Sequence, residues 1–158
     1  MQIATNIKNF LEPKLQLHNI SCKNFAEKSN IIYNTVCKIL TCQHPNTHII
    51  TIIKIADYFN CSIDEVLGRI DYIESYKFHD LNTVLNNYNR HLQQFVLTKI
   101  HEHHLNPYKL SQDLGFHNSV IPVFIKDHNN KKTVRTPVII AIAEHFNISI
   151  DKMINRAI

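Results

Sequence analysis

The sequence predicts an all-α protein built from two tandem five-helix domains, and three observations carry that prediction. Apolar residues recur at three- and four-residue spacings along almost the whole chain, with none of the strict alternation that marks strands. Only two glycines, Gly68 and Gly115, occur in 158 residues. The chain also repeats itself: residues 59–69 read FNCSIDEVLGR and residues 146–156 read FNISIDKMINR, with six of eleven positions identical. At an offset of 85, Phe10 meets Phe95, Lys14 meets Lys99, His18 meets His103 and Leu40 meets Ile125. After a two-residue insertion the offset becomes 87, and Ile52, Ile53, Ile55, Ala56 and Phe59 meet Ile139, Ile140, Ile142, Ala143 and Phe146. Self-similarity of this extent marks a repeated structural unit. The predicted domains are residues 1–70 and 80–158, joined by a connector over 71–79.

The elements follow in order. A first helix is expected around Ile7 to His18. Ser21 then offers a hydroxyl to an orphan amide of a short second helix, Cys22 to Ser29, that buries Phe25 and Ala26. Asn30 separates it from a third helix expected from Ile31 to about Thr41. So tight a junction needs a residue that tolerates positive φ, and Gly115 stands at the matching position of the second half. That pairing predicts a helix-turn-helix in each half. A fourth helix follows Pro45-Asn46-Thr47, and its counterpart follows Thr136-Pro137, where proline suits the first helical position. The fifth starts at Ser62, with Glu65 completing a capping box; Ser149 repeats the cap, while Lys152 removes the box. From Asp80, an expected N-cap, the set Leu81, Val84, Leu85, Tyr88, Leu92, Phe95, Val96 and Ile100 keeps helical spacing for over five turns, longer than its amino-terminal partner.

Composition narrows the function classes. Hydrophobic residues make up 44% and charged residues 19%, a globular balance with no apolar run of membrane-spanning length. The start, MQIATNIKNF, lacks a basic stretch followed by an apolar core, so the sequence predicts no secretory signal and a cytoplasmic location. Cys22, Cys37, Cys42 and Cys61 then read as free thiols. A net charge of +4 permits a polyanionic partner. Two distant glycines leave no Gly-rich phosphate loop, and His101-Glu102-His103-His104 lacks zinc-protease spacing. No Ser, His and acid set stands out, so the sequence offers no catalytic residue, metal ligand or cofactor site.

Residues 25–40, FAEKSNIIYNTVCKIL, carry the most specific pattern: apolar-Ala, a turn residue, and an apolar-spaced helix with a polar outer face. They resemble the helix-turn-helix core of the lambda-repressor and Cro-like (XRE) family, and the resemblance extends from Ile7 to Leu67, where IIKIADYFNCSIDEVLG is similar to that family's fourth and fifth helices. The resemblance implies that the third helix enters the major groove of double-stranded DNA, which admits a helix and presents a distinct donor and acceptor pattern for each base pair. Outward positions on that helix are Tyr33, Asn34, Cys37 and Lys38; Ile31, Val36, Ile39 and Leu40 face the core. Asn34 suits adenine, Lys38 a guanine edge or a phosphate, and Tyr33 a thymine methyl or a phosphate, while Lys23, His44 and Asn46 are candidate backbone contacts. The family usually carries Gln or Thr where Cys22 stands and small polar residues where Ile32 and Cys37 stand.

In the second half, KLSQDLGFHNSVIPVFIKD keeps the turn and an apolar set of Leu110, Leu114, Phe116, Ile121 and Ile125, but its outward positions become Asn118, Ser119, Pro122 and Val123. Pro122 requires its helix to start late or to distort. The following KDHNNKKTVRTP clusters Lys126, Lys131, Lys132 and Arg135, which, with Asn118 and Ser119, are candidate phosphate contacts. The expectation is a DNA-binding transcriptional regulator whose first domain reads bases and whose second domain is degenerate for reading. The second domain, or the long helix from Asp80, is also the expected route to a homodimer, since pairing sets recognition helices about one DNA turn, roughly 34 Å, apart. The alternative is an antitoxin-like or adaptor module that keeps the fold and binds protein.

Overall fold

The computed structural model describes residues 2–72 and 77–158 and divides the chain into two compact units, Met1–Tyr76 and Lys77–Ile158. All regular structure among the described residues is helical, apart from one isolated β-bridge. No helix among them is long and apolar enough to cross a membrane.

The first unit comprises α1 (Ile3–Leu17), α2 (Cys22–Ser29), α3 (Tyr33–Leu40), α4 (Ile49–Tyr58), α5 (Ile63–Val66) and a 3-10 turn, Ile70–Tyr72. α1 starts one turn earlier than the sequence predicts, because Ile3, Ile7, Leu11 and Leu15 recur every four residues and all four are buried. It continues through Pro13, whose ring denies one carbonyl of the preceding turn its amide partner. Ser21 and Ser62 cap their helices as expected, accepting from Asn24 N at 3.2 Å and Glu65 N at 2.9 Å. The Glu65 carboxylate lies 3.6 Å from Lys14 Nζ, tying α5 back to α1. An aromatic cluster seals the interior: Phe10 meets Phe59 edge-on at 5.7 Å, and Phe25 meets Tyr58 at 4.9 Å.

The second unit comprises α6 (Leu81–Glu102), α7 (Pro107–Asp113), α8 (Val120–Ile125), α9 (Thr136–His145) and α10 (Ile150–Met153). Asp80 caps α6 through Thr83 N at 3.0 Å, and Asn106 caps α7, with Pro107 in its first turn. Of the connector expected over 71–79, residues 73–76 lie outside the described residues. Residues 77–79 run beside the far end of the chain: Phe78 bridges Ala157, His79 N donates to Arg156 O at 2.9 Å, and Ile158 N donates to Lys77 O at 2.8 Å.

Equivalent contacts recur inside each unit at the sequence offsets. Phe95 meets Phe146 at 5.7 Å and 83°, against 5.7 Å and 81° for Phe10 and Phe59. His103 lies 6.2 Å from Phe146, as His18 lies 6.3 Å from Phe59. Left-handed residues also pair: Asn19 with His104, Asn30 with Gly115, Asn60 with Asn147 and Gly68 with Asn155. Each unit closes with a buried ion pair five residues apart, Asp64 to Arg69 and Asp151 to Arg156, and each guanidinium covers a ring, Tyr72 at 4.2 Å and Phe78 at 3.8 Å. These pairs fasten helices of only four residues, too short to persist alone.

Removing one member of such a pair strands the other charge in the interior. Asp64→Ala should therefore cost the first unit about 3–5 kcal/mol in a denaturant titration. A loss of about 1 kcal/mol or less, the scale of an exposed pair, would remove it as an anchor.

Candidate nucleic-acid interface

In the first unit, α2 and α3 meet through a three-residue turn. Ser29 Oγ donates to Phe25 O at 2.7 Å, and Asn30 then takes the left-handed conformation at φ 52°, ψ 44°. That reversal sends Ile31 inward, buried to 7%, with its amide donating to Ala26 O at 3.0 Å. Lys54 Nζ from α4 donates to Asn30 O at 2.7 Å, so a carbonyl freed by the turn is held from behind. Ile32 is extended at φ −59°, ψ 128°, and α3 begins only at Tyr33, two residues later than predicted, because a left-handed residue and an extended one must first turn the chain.

Helical spacing then sorts α3 into two faces. Val36 and Ile39 are buried, Leu40 is half-buried, and Tyr33, Asn34 and Lys38 are exposed together, with Cys37 half-buried between them. The Cys37 side chain, one turn away from the Tyr33 phenol, holds its pKa above the ordinary tyrosine value. Lys23 is exposed at the start of α2 and shares with Glu27, Ile32 and Tyr33 a shallow groove of about 590 Å³. Beyond α3 the chain reverses at Cys42, φ 56°; His44 is half-buried, its carbonyl accepting from Thr47 Oγ1 at 3.0 Å, and Asn46 is exposed. Thus α3 and the start of α2 form one continuous surface, and His44 and Asn46 belong to the loop after it.

The second unit arranges the matching region differently. α8 has six residues and starts at Val120, as Pro122 requires: proline falls in the first turn, where its missing amide donor costs nothing. Pro122 itself, expected on the outer face, is buried along with Ile121 and Phe124, whereas Cys37 at the matching position of α3 is half-buried. Asn118 is exposed, and Ser119 is half-buried against His117, with Ser119 Oγ 2.8 Å from His117 Nδ1. Lys126, Lys131, Lys132 and Arg135 are all exposed. The loop that carries them is fastened from two sides. Asn89 Nδ2 of α6 donates to Lys132 O at 2.9 Å and Asn130 O at 3.2 Å, and Gln93 Nε2 donates to Phe124 O at 2.8 Å and Asp127 O at 3.0 Å. The Asp127 carboxylate accepts from the Lys132 amide, and that backbone bond is the main cause that holds its pKa below the usual aspartate value.

The family described as the Cro/C1-type HTH DNA-binding domain matches residues 11–71, from within α1 to the 3-10 turn. An uncharacterized HTH-type transcriptional regulator of Rickettsia conorii is 47% identical over 72 residues, which are 44% of this chain and 66% of that protein. Another, of Rickettsia prowazekii, is 46% identical over 72 residues, 44% of this chain and 78% of its own length. The chain belongs to the Cro/C1-type helix-turn-helix family. No solved structure matches it.

Within this Cro/C1-type chain, Asn89, Gln93 and Asp127 hold the basic loop without belonging to any motif of the sequence. The signal was present for Asn89, which lies four residues after Leu85 and three before Leu92 and so falls on the apolar stripe of α6. A polar residue buried at such a position must bond, and it bonds to the basic loop. The four cysteines are free thiols, and among the described residues no three His, Cys, Asp or Glu side chains converge as metal ligands.

Because the folded Asp127 pKa is depressed, its anchoring is complete above the ordinary aspartate value and fades as pH falls through the lowered one. Asp127→Asn should weaken the hold on the loop at neutral pH, and amide exchange at Lys132 should quicken by about tenfold. Unchanged exchange would mean that Asn89 and Gln93 suffice.

Proposed function

We propose that the protein is a sequence-specific DNA-binding transcriptional regulator whose first unit reads bases with α3. The observation that carries this reading is the exposed set Tyr33, Asn34 and Lys38 on a helix held by a left-handed turn, in the segment that matches a Cro/C1-type DNA-binding domain. Asn34 has the paired donor and acceptor for adenine, Lys38 stands one turn on for a guanine edge or a phosphate, and Tyr33 offers a ring to a thymine methyl and a hydroxyl to a phosphate. Lys23, His44 and Asn46 flank this face as backbone contacts.

The two units are tandem copies of one five-helix fold, a reading supported by the paired ring geometries, left-handed residues and buried ion pairs. The second copy has lost base reading, since Val123 replaces the Lys38 position and Pro122 the Cys37 position. It holds DNA through phosphates at Asn118 and Ser119, just before α8, and at Lys126, Lys131, Lys132 and Arg135, along the loop that Asn89 and Gln93 set in place. A second reading, in which this unit mediates a homodimer, is favoured by the exposure of Leu97 on α6, 42%, and of Val123, 45%.

Selection of duplexes from a random pool, followed by gel shift, tests the first unit. Asn34→Ala and Lys38→Ala should each lose about 1–3 kcal/mol of discrimination while the circular dichroism stays unchanged. Unaltered specific affinity in both variants would remove α3 as the reading element. For the second unit, replacing Lys131 and Lys132 with alanine should flatten the slope of log affinity against log salt by about two. An unchanged slope would leave that loop in solvent.

A further inference from the structure

Ile32 stands where neither the helix nor the solvent favours it. It is the N-cap residue of α3, its carbonyl accepting from Thr35 N at 2.8 Å and Val36 N at 3.2 Å, yet its side chain makes no cap bond and is 76% exposed. Elsewhere in the first unit the caps of α2, α4 and α5 are Ser21, His48 and Ser62, each accepting from a helix amide, at 3.2 Å, 3.2 Å and 2.9 Å. Even at the corresponding position of the second unit, 85 residues on, His117 accepts from Ser119 N at 3.3 Å through Nδ1. Isoleucine leaves the first turn of α3 uncapped and an aliphatic side chain in water, two costs that a serine would relieve.

We propose that Ile32 reads a thymine, packing its side chain against the 5-methyl group of one thymine in the major groove. The inference rests on the DNA-binding reading above. Among the four bases, only thymine carries a methyl group on that edge. Ile32 adjoins Tyr33 and Asn34 at the leading end of α3, so a groove that admits those two meets Ile32 as well. Its β-branched side chain has few rotamers to lose and acts as a stiff probe. Lys23, in the shallow protein groove that Ile32 also lines, and Lys38, six residues further along α3, add positive charge against the carboxylate of Glu27, a balance that suits a polyanion better than an apolar protein segment.

Deoxyuridine deletes only the methyl group. In a duplex selected from a random pool by the full chain, each thymine is replaced in turn and affinity is measured by fluorescence anisotropy. One replacement should weaken binding by the wild type about fourfold, the value of one buried methyl group, and leave Ile32→Ala binding unchanged. Ile32→Ser should raise Tm by a few degrees through the restored cap and lose the same thymine preference, so reduced affinity in it would not reflect unfolding. If the selected duplex binds but wild type and Ile32→Ala respond alike to every replacement, the proposal is overturned while the DNA-binding reading stands. If no duplex is enriched, both fall.

Discussion

The left-handed turn at Asn30 is the constraint on which the first unit's surface depends. A backbone at φ 52° lets two eight-residue helices meet within three residues, and few side chains accept that conformation cheaply. Two bonds hold the reversal: the Ile31 amide to Ala26 O within the turn, and Lys54 Nζ to Asn30 O from α4. Ile31 then plugs the core while Ile32 and Tyr33 emerge into solvent. The direction in which α3 points follows from these contacts, since a helix of this length has little persistence of its own.

Much of this arrangement was legible in the sequence because it follows local rules. Ser21 and Asn30 bound α2 at the residues expected, and the spacing of Val36 and Ile39 against Tyr33, Asn34 and Lys38 separates core from surface. The contacts that were not legible involve polar groups with distant or unexpected partners. Asp64 and Asp151 look like ordinary surface acids at the start of an amphipathic helix, and only a folded chain shows each buried against an arginine. α3 starts two residues later than its apolar spacing predicts, because apolar character alone does not reveal that Ile31 is buried from a turn and Ile32 is extended. Pro122 is expected outward because it matches Cys37, a position that is itself half-buried in α3.

The two units share the contacts that hold a small helical bundle together and differ in what they present. Ring clusters, left-handed corners and buried ion pairs recur at nearly the same geometry. On the surface, α3 carries a polar and cationic set, whereas the six-residue α8 exposes Val123. The second unit instead devotes two residues of α6, Asn89 and Gln93, to fixing a basic loop. Their counterparts by offset in α1 are Ala4 and Lys8, neither of which carries a side-chain amide.

The most direct measurement is an amide chemical-shift map of the full chain titrated with a duplex enriched from a random pool. The account predicts that the largest shifts fall on residues 32–38 and Lys23, with the buried amides of α4 little affected. Shifts that bypass residues 32–38, although the duplex is bound specifically, would contradict it.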